Sequence, residues 1–346
     1  MDSFLVRVHC ITYNQQAYIA DAMNGFVIQE TNFPYICTIV DDASTDGEQE
    51  VIRNYVSDNF DISDASGAYE KDSDYGHVTF ARHKINKNCY FAVIYLNENH
   101  YSKRKPKIPY FKEWDDQVKY VACCEGDDYW TDPLKLQKQV DFMEEHLDYS
   151  LCCHRYKIYN QNEGTWGDDY VKKLFEESPD GFSFGNYENL NKAWITKTMT
   201  LVYRKSCING ADLNKYRYRC DEHLNYHLLL NGIGYCFPFI GAVYRRCDTG
   251  VFSHLSNREK LERWCRLRGE MLEYNLTDKD IRDHVYHRVR CFLYNRQICR
   301  EELNVVRVVL KSFYKTDGLR KALVAAKKIT GSYVKGLIRN KKNVDK

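Results

Sequence analysis

Short apolar runs alternate with amphipathic stretches along the first part of the chain, and acid-rich turns separate them. Residues 6–11 read as a strand ending at Thr12-Tyr13-Asn14, and Ile19, Ala22, Met23 and Phe26 then recur at helical spacing. Residues 35–40 form a second apolar run, so the opening predicts a βαβ unit. A further helix carrying Val51, Ile52 and Tyr55 follows, then a polar surface insertion over 57–76 and a third strand at 77–80. Tyr120-Val121-Ala122 predicts a buried strand. The helix after it places Leu136, Val140, Met143 and Leu147 on one face, with Asp132 as its cap and Pro133 in its first turn. Later strands are expected at 150–154, in the second half of 194–204, at 235–237 and at 240–245. Trp194 reads first as a core anchor. A helix with Leu224 and Leu228 on one face closes at Asn231-Gly232, read as a left-handed cap. Beyond Ser256 the pattern is charged and helical.

This order of elements gives an α/β class, a mixed sheet flanked by helices with a C-terminal helical extension. Composition narrows the functional classes. With 346 residues there is ample material for a core, and 50 Lys and Arg against 48 Asp and Glu give a net charge of +2, so no global charge invites nucleic acid. Fourteen cysteines include no Cys-x-x-Cys, and residues 1–7 lack the form of a signal peptide. Reduced cysteines and a cytoplasmic setting are expected.

The candidate chemistry sits between residues 120 and 133. Glu125, Asp127 and Asp128 crowd the carboxyl end of a strand, where open α/β sheets bind their ligands. Adjacent carboxylates repel one another unless a cation or proton intervenes, and hard oxygen donors suit Mg²⁺ or Mn²⁺. Asp41 and Asp42 follow the second strand, where acids are commonly helix caps. Asp221 opens the helix of Leu224 and Leu228, where an acid also complements the helix dipole.

The run Glu-Gly-Asp-Asp-Tyr-Trp-Thr-Asp-Pro-Leu-Lys-Leu-Gln from Glu125 resembles the Asp-x-Asp region of family 2 glycosyltransferases. The resemblance covers residues 6–253 and implies a GT-A fold, a nucleotide-sugar donor (a UDP-sugar foremost) and inversion at the anomeric carbon. It implies that Asp127 and Glu125 hold a divalent cation, Mn²⁺ or Mg²⁺, with Asp128 beside them. Thr12, Tyr13, Asn14 and Asp42 would form the nucleotide site, Asp42 meeting the base. Arg82 and Asn86 would lie near the nucleotide, and Arg245 would supply positive charge to the diphosphate where the family often has a histidine and this chain has Cys247. Asp221 would be the catalytic base, with Glu222 and His223 in reserve.

On that reading residues 1–125 bind the nucleotide sugar, residues 126–255 carry metal, acceptor and base, and residues 256–346 form a helical region with a basic tail. The acceptor would be a glycan or a lipid-linked sugar in polysaccharide assembly, and the second reading of Trp194 is a platform for that acceptor sugar. The enzymatic rival is a sugar nucleotidyltransferase, and the rival of another class is a silent carbohydrate-binding or assembly protein. From Gly318 to the end, basic residues interleave with apolar ones and the only acid is Asp345, a pattern expected of a helix lying on a membrane surface.

Overall fold

A computed structural model of the chain describes residues 4–192, 194–208, 210–217, 220–247, 255–295 and 300–344. The chain divides into two compact units. The first comprises Met1–Gly185, Trp194–Ile208 and His227–Arg246, and the second Asn186–Ala193, Asn209–Tyr226 and Cys247–Lys346.

The first unit is built on one mixed sheet. Its strands are β1 (Val6–Thr12), β2 (Tyr35–Asp41), β3 (Phe60–Asp61), β4 (Tyr69–Ser73), β5 (Gly76–His83), β6 (Cys89–Leu96) and β7 (Tyr120–Cys123). They continue with β8 (Tyr129–Trp130), β9 (Tyr149–Asn160), β10 (Thr165–Asp168), β11 (Phe182–Phe184), β12 (Val202–Arg204) and β13 (Ile233–Arg246). Helices α1 (Ile19–Val27), α2 (Glu48–Asn59), α3 (Ile108–Asp115), α4 (Lys135–Glu145) and the short α5 (Leu174–Glu177) connect them. The strand order is β11-β13-β9-β12-β7-β1-β2-β6-β5-β3. Strands β7, β1, β2 and β6 run parallel, and the chain passes to opposite sides of β1 to reach β2 and β7. That reversal opens a crevice at the carboxyl ends of β1, β2 and β7.

Central position explains composition. Every residue of β2 and β6 is buried, and both are nearly continuous apolar runs, as strands covered on two faces must be. The core joins Val6, Val8 and Cys10 of β1 to Ile19, Met23 and Phe26 of α1 and to Leu136, Val140 and Met143 of α4. Trp130 is sealed among them, its indole N–H donating to the Met199 carbonyl at 2.8 Å.

Several expectations are corrected. The segment at 77–80 is a strand, but it belongs to β5, which runs antiparallel to β6. The polar insertion includes β4, a hairpin partner of β5 with mostly exposed residues. Helix α4 ends before Leu147, which is 73% exposed. Asp132 accepts from the Leu134 N–H in the turn before α4, two residues short of capping the helix itself. The two strands expected at 235–245 are one strand, β13, with register shifts on either side of Ile240. Neither Asn231 nor Gly232 is left-handed; a Cβ at 232 would lie 2.8 Å from the Ser150 Cβ, so close approach accounts for the glycine. Trp194 is 41% exposed and is no core anchor.

The second unit is helical. It contains the short α6 (Asn186–Asn191) and α7 (Gly210–Asn214), the first part of α8 (Asp221–Leu230), and α9 (Asn257–Tyr274), α10 (Lys279–Tyr294) and α11 (Arg300–Val344), the last kinked at Gly318 with φ +80°. Ser256 and Glu259 form a capping box on α9, and Asp278 caps α10 through the N–H groups of Asp280 and Ile281. The core of the unit includes Met271, Leu272, Ile281, Val285, Val289, Val305 and Val309. Tyr216 and Tyr226 belong to it, which draws the segment bearing Asp221 into this unit and away from the expected 126–255 grouping.

Candidate active site

Three turns meet at the carboxyl ends of β1, β2 and β7. The Asp42 N–H donates to the Thr12 carbonyl at 3.0 Å, and the Gly126 N–H donates to the Ile11 carbonyl at 3.3 Å. The first two turns interlock further: Asn14 N–H donates to Ser44 Oγ at 2.9 Å, and Thr45 N–H to Asn14 Oδ1 at 2.8 Å. Asn14 and Ala43 both hold positive φ, 53° and 62°, a strained backbone kept by this network. At its centre is Glu48, wholly buried in the first turn of α2. Its carboxylate accepts from Thr12 Oγ1, from the Gln15 N–H at 2.9 Å and from Ser44 Oγ at 2.8 Å. Burial raises its pKa against the lowering effect of these donors. The sequence reading missed Glu48; its signal was an acid one residue beyond Gly47, at a helix start.

The acids of the β2 turn are largely engaged by the chain itself. Asp42 is 1% exposed, accepts from the backbone N–H groups of His100 at 2.7 Å and Tyr101 at 3.0 Å, and pairs with Lys107 Nζ at 3.0 Å. Asp41 accepts from the Ser44 N–H and the Gln49 amide. Tyr13, in the turn after β1, is 44% exposed.

The loop after β7 is differently held. A Cβ on Gly126 would stand 2.4 Å from Thr12 Oγ1 and 2.6 Å from Gln15 Oε1, so only glycine lets this loop lie against the end of β1. Asp128 is buried and accepts from the Arg245 N–H at 2.8 Å. Burial pushes its carboxyl well above the usual range, and Asp127 and Glu125 push it further. Asp127 is half-buried, and its pKa is likewise raised by burial, with Arg245, Lys197 and a hydrogen bond from Gln15 opposing the shift. Glu125 is also half-buried.

Two cations serve this loop. Arg245 is 7% exposed, and its guanidinium donates to the Asp127 carbonyl at 2.9 Å, to Gln161 Oε1 at 2.9 Å and to Asp21 Oδ2 at 2.6 Å, between the rings of Tyr18 and Tyr129. It braces the loop. Lys197, which the sequence reading passed over, is buried with Nζ 3.7 Å from the Tyr244 ring centroid and 3.8 Å from that of Trp194.

Arg82 and Asn86 lie elsewhere. Because β5 runs against β6, Arg82 pairs with Tyr90 near the amino-terminal end of the parallel strands. The length of β2 from Tyr35 to Asp41 separates the two edges, about 20 Å at 3.3 Å per residue. Arg82 donates to the Lys87 carbonyl, and the Asn86 amide donates to the carbonyls of Val27 and Gln29, fixing the end of α1. Both are structural, and the nucleotide role expected of them is withdrawn.

In the second unit Asp221 is the first residue of α8 and is half-buried. His223 Nδ1 accepts from the Cys220 N–H at 3.2 Å and lies 3.3 Å from Cys220 Sγ, closing the helix start. Glu222 pairs with Arg268. Residues 250–253, which entered the resemblance, lie outside the described residues. Among the described residues no group of three or more His, Cys, Asp or Glu is arranged to hold a metal ion, and no helix is long and apolar enough to cross a membrane.

No family model matches the chain. It is 26% identical over 261 residues to an uncharacterised protein of Mycobacterium tuberculosis, covering 73% of this chain. The chain spans 62% of the length of that relative. It is 24% identical over 253 residues to "Putative teichuronic acid biosynthesis glycosyltransferase TuaG" of Bacillus subtilis, covering 72% of this chain and 82% of TuaG. Among solved structures, S. aureus TarS 1–349 in complex with UDP-GlcNAc aligns with a TM-score of 0.59 at 17% identity, over 97% of this chain and 92% of TarS 1–349. The same TarS segment in complex with UDP gives 0.57. The chain shares the TarS fold.

Proposed function

We propose that the chain is an inverting glycosyltransferase that moves a sugar from a UDP-sugar to an acceptor hydroxyl during assembly of a surface glycan. The observation that carries the reading is the meeting of three polar turns, at Thr12–Asn14, Asp41–Thr45 and Glu125–Asp128, at the strand ends where the sheet order reverses. The similarity to TuaG supports the class of reaction, and the UDP and UDP-GlcNAc held by TarS support the class of donor.

Tyr13 offers an exposed ring for the base to stack on, and Asn14 and Thr12 shape the turn beneath it. Asp42 keeps acceptor capacity beyond its three contacts, since an ionised carboxylate has about four lone-pair sites. A divalent cation fits the donor set at Asp127 and Glu125, because Mg²⁺ is commonly held by one or two carboxylates and completed by substrate phosphates. When bound it would neutralise charge on the departing diphosphate. Arg245 and Asp128 hold Asp127 in place, and Lys197 adds a positive charge beside it. Asp221 is the proposed proton acceptor for the incoming hydroxyl.

The experiment is release of nucleoside diphosphate from a panel of nucleotide sugars with and without Mn²⁺. Asp127→Asn is expected to lower metal-dependent turnover by about two orders of magnitude or more. Asp221→Asn is expected to preserve donor binding and lose transfer. Full turnover in either variant removes that residue's role, and release of pyrophosphate from a nucleoside triphosphate would favour the nucleotidyltransferase.

A further inference from the structure

The helix after Gly318 has two apolar faces, and the second unit covers one of them. Ala322, Ala325, Ile329, Ser332 and Gly336 form the buried stripe. A Cβ at 336 would lie 2.4 Å from the Tyr294 carbonyl oxygen, so glycine brings α11 directly onto the end of α10, and Arg290 Nε donates to Ser332 Oγ nearby at 3.2 Å. At about 100° per residue these five positions span an arc of about 80°.

Beside this stripe lies a second one that is open. Leu319, Leu323, Val334 and Ile338 are 61%, 61%, 44% and 53% exposed, and they fall within an arc of about 100° on the same wheel. Lys321, Lys328, Lys335 and Arg339 lie on the remaining face, and Arg320 and Lys327 lie along the edge of the open stripe nearest to it, all exposed. The sequence from Gly318 to Val344 contains no Asp or Glu.

We infer that the segment of α11 after Gly318 is a membrane-surface helix that lays its second apolar stripe into an anionic bilayer. The basic flank decides the occupant. Two copies of this face brought together would juxtapose cations with no acid to pair them, whereas phospholipid headgroups supply the complementary charge at the depth where long Lys and Arg side chains reach. An apolar row bordered by cations on one side and anchored to a folded unit on the other lies in the interface and does not span it. The inference is independent of the proposed donor chemistry.

The test is flotation of the full 346-residue chain with vesicles of phosphatidylcholine alone or mixed with phosphatidylglycerol. The chain is expected to float with the anionic vesicles roughly tenfold better than with the neutral ones, and less so at high salt. Leu323→Glu with Val334→Glu should abolish flotation, while Leu303→Glu, exposed but before Gly318, should keep it. Thermal unfolding of each variant checks that the unit still folds. Val334→Trp, a change that keeps the face apolar, should shift its emission to the blue on adding anionic vesicles. Failure of the wild-type chain to float, equal flotation of the double Glu variant, or a Val334→Trp emission that anionic vesicles leave unmoved would overturn the inference. So would self-association in sedimentation that the double Glu variant removes without any lipid dependence.

Discussion

The turn after β2 and the loop after β7 present carboxylates at the same edge of the same sheet, and their surroundings differ. In the β2 turn Asp42 has two backbone donors and a lysine, so the chain meets its charge almost entirely from within. In the β7 loop three acids stand within four residues, and burial and mutual repulsion drive Asp128 upward. Arg245 and Lys197 offset only part of the shift at Asp127, and a second buried lysine behind the loop, Lys135, is engaged elsewhere. Lys135 Nζ donates to Gln139 Oε1 at 2.8 Å and lies 4.0 Å from the Trp130 ring centroid. A settled turn can shape a ligand, whereas an unsettled one gains most when a cation arrives. This contrast assigns scaffolding to the first and chemistry to the second.

The sharpest way to break the contrast is to unsettle the first turn. Lys107→Met leaves the Asp42 charge buried against two N–H groups alone, and stability should fall by about 3 kcal/mol in urea denaturation near neutral pH. Lys105→Met, which loses only an exposed contact to Glu98, should have a much smaller effect. If the two variants melt alike, Asp42 is no more settled than Asp128 and the comparison fails.

The buried lysine behind the second turn gives a pH-dependent effect. Burial lowers the Lys135 pKa from 10.5 to about 8. The folded protein therefore releases this proton before the unfolded chain does, so between pH 8 and 10.5 the unfolded state binds more protons and stability rises with pH through this group. Below pH 8 burying the charged form costs stability, on the order of 3 kcal/mol for a shift of this size and less after local relaxation. Lys135→Met should therefore stabilise the protein relative to wild type most at pH 7, with the difference shrinking as pH approaches 10. A difference independent of pH would mean that the ammonium is not buried.

The strands and helices around β1 and β2 were legible because each apolar run is short and ends in a polar turn. The acid loop was legible for the same reason. What sequence did not show is direction and partnership. Cys89–Leu96 is a continuous apolar run and forms β6, the last strand of the parallel block, yet the basic loop before it drew the reading toward a ligand role for Arg82 and Asn86. Nothing in residues 77–83 states that β5 runs antiparallel, and that alone moves its following loop to the other edge. Likewise Lys107, Lys197 and Arg245 reach the turns from distant positions, so a motif names the acids without naming what holds them. Asp221 was placed correctly at a helix start, but the tyrosines that draw its segment into the helical core lie at 216 and 226, outside any motif.

The smallest expected effect tests the point where the β7 loop touches the turn after β1, which is itself interlocked with the β2 turn. Gly126 needs no unusual φ; what it provides is space, since its Cβ would meet both Thr12 Oγ1 and Gln15 Oε1. Thr12 cannot give way freely, because its hydroxyl lies between Glu48 and Gln15. Gly126→Ala should therefore destabilise by about 1–2 kcal/mol, the usual range for one extra methyl in a tight site. The double variant Thr12→Ala, Gly126→Ala removes the nearer of the two obstructing oxygens, and its loss should be smaller than the sum of the single losses by at least about 0.5 kcal/mol. Simple additivity would place the strain elsewhere and separate the β7 loop from the scaffold formed by the β1 and β2 turns.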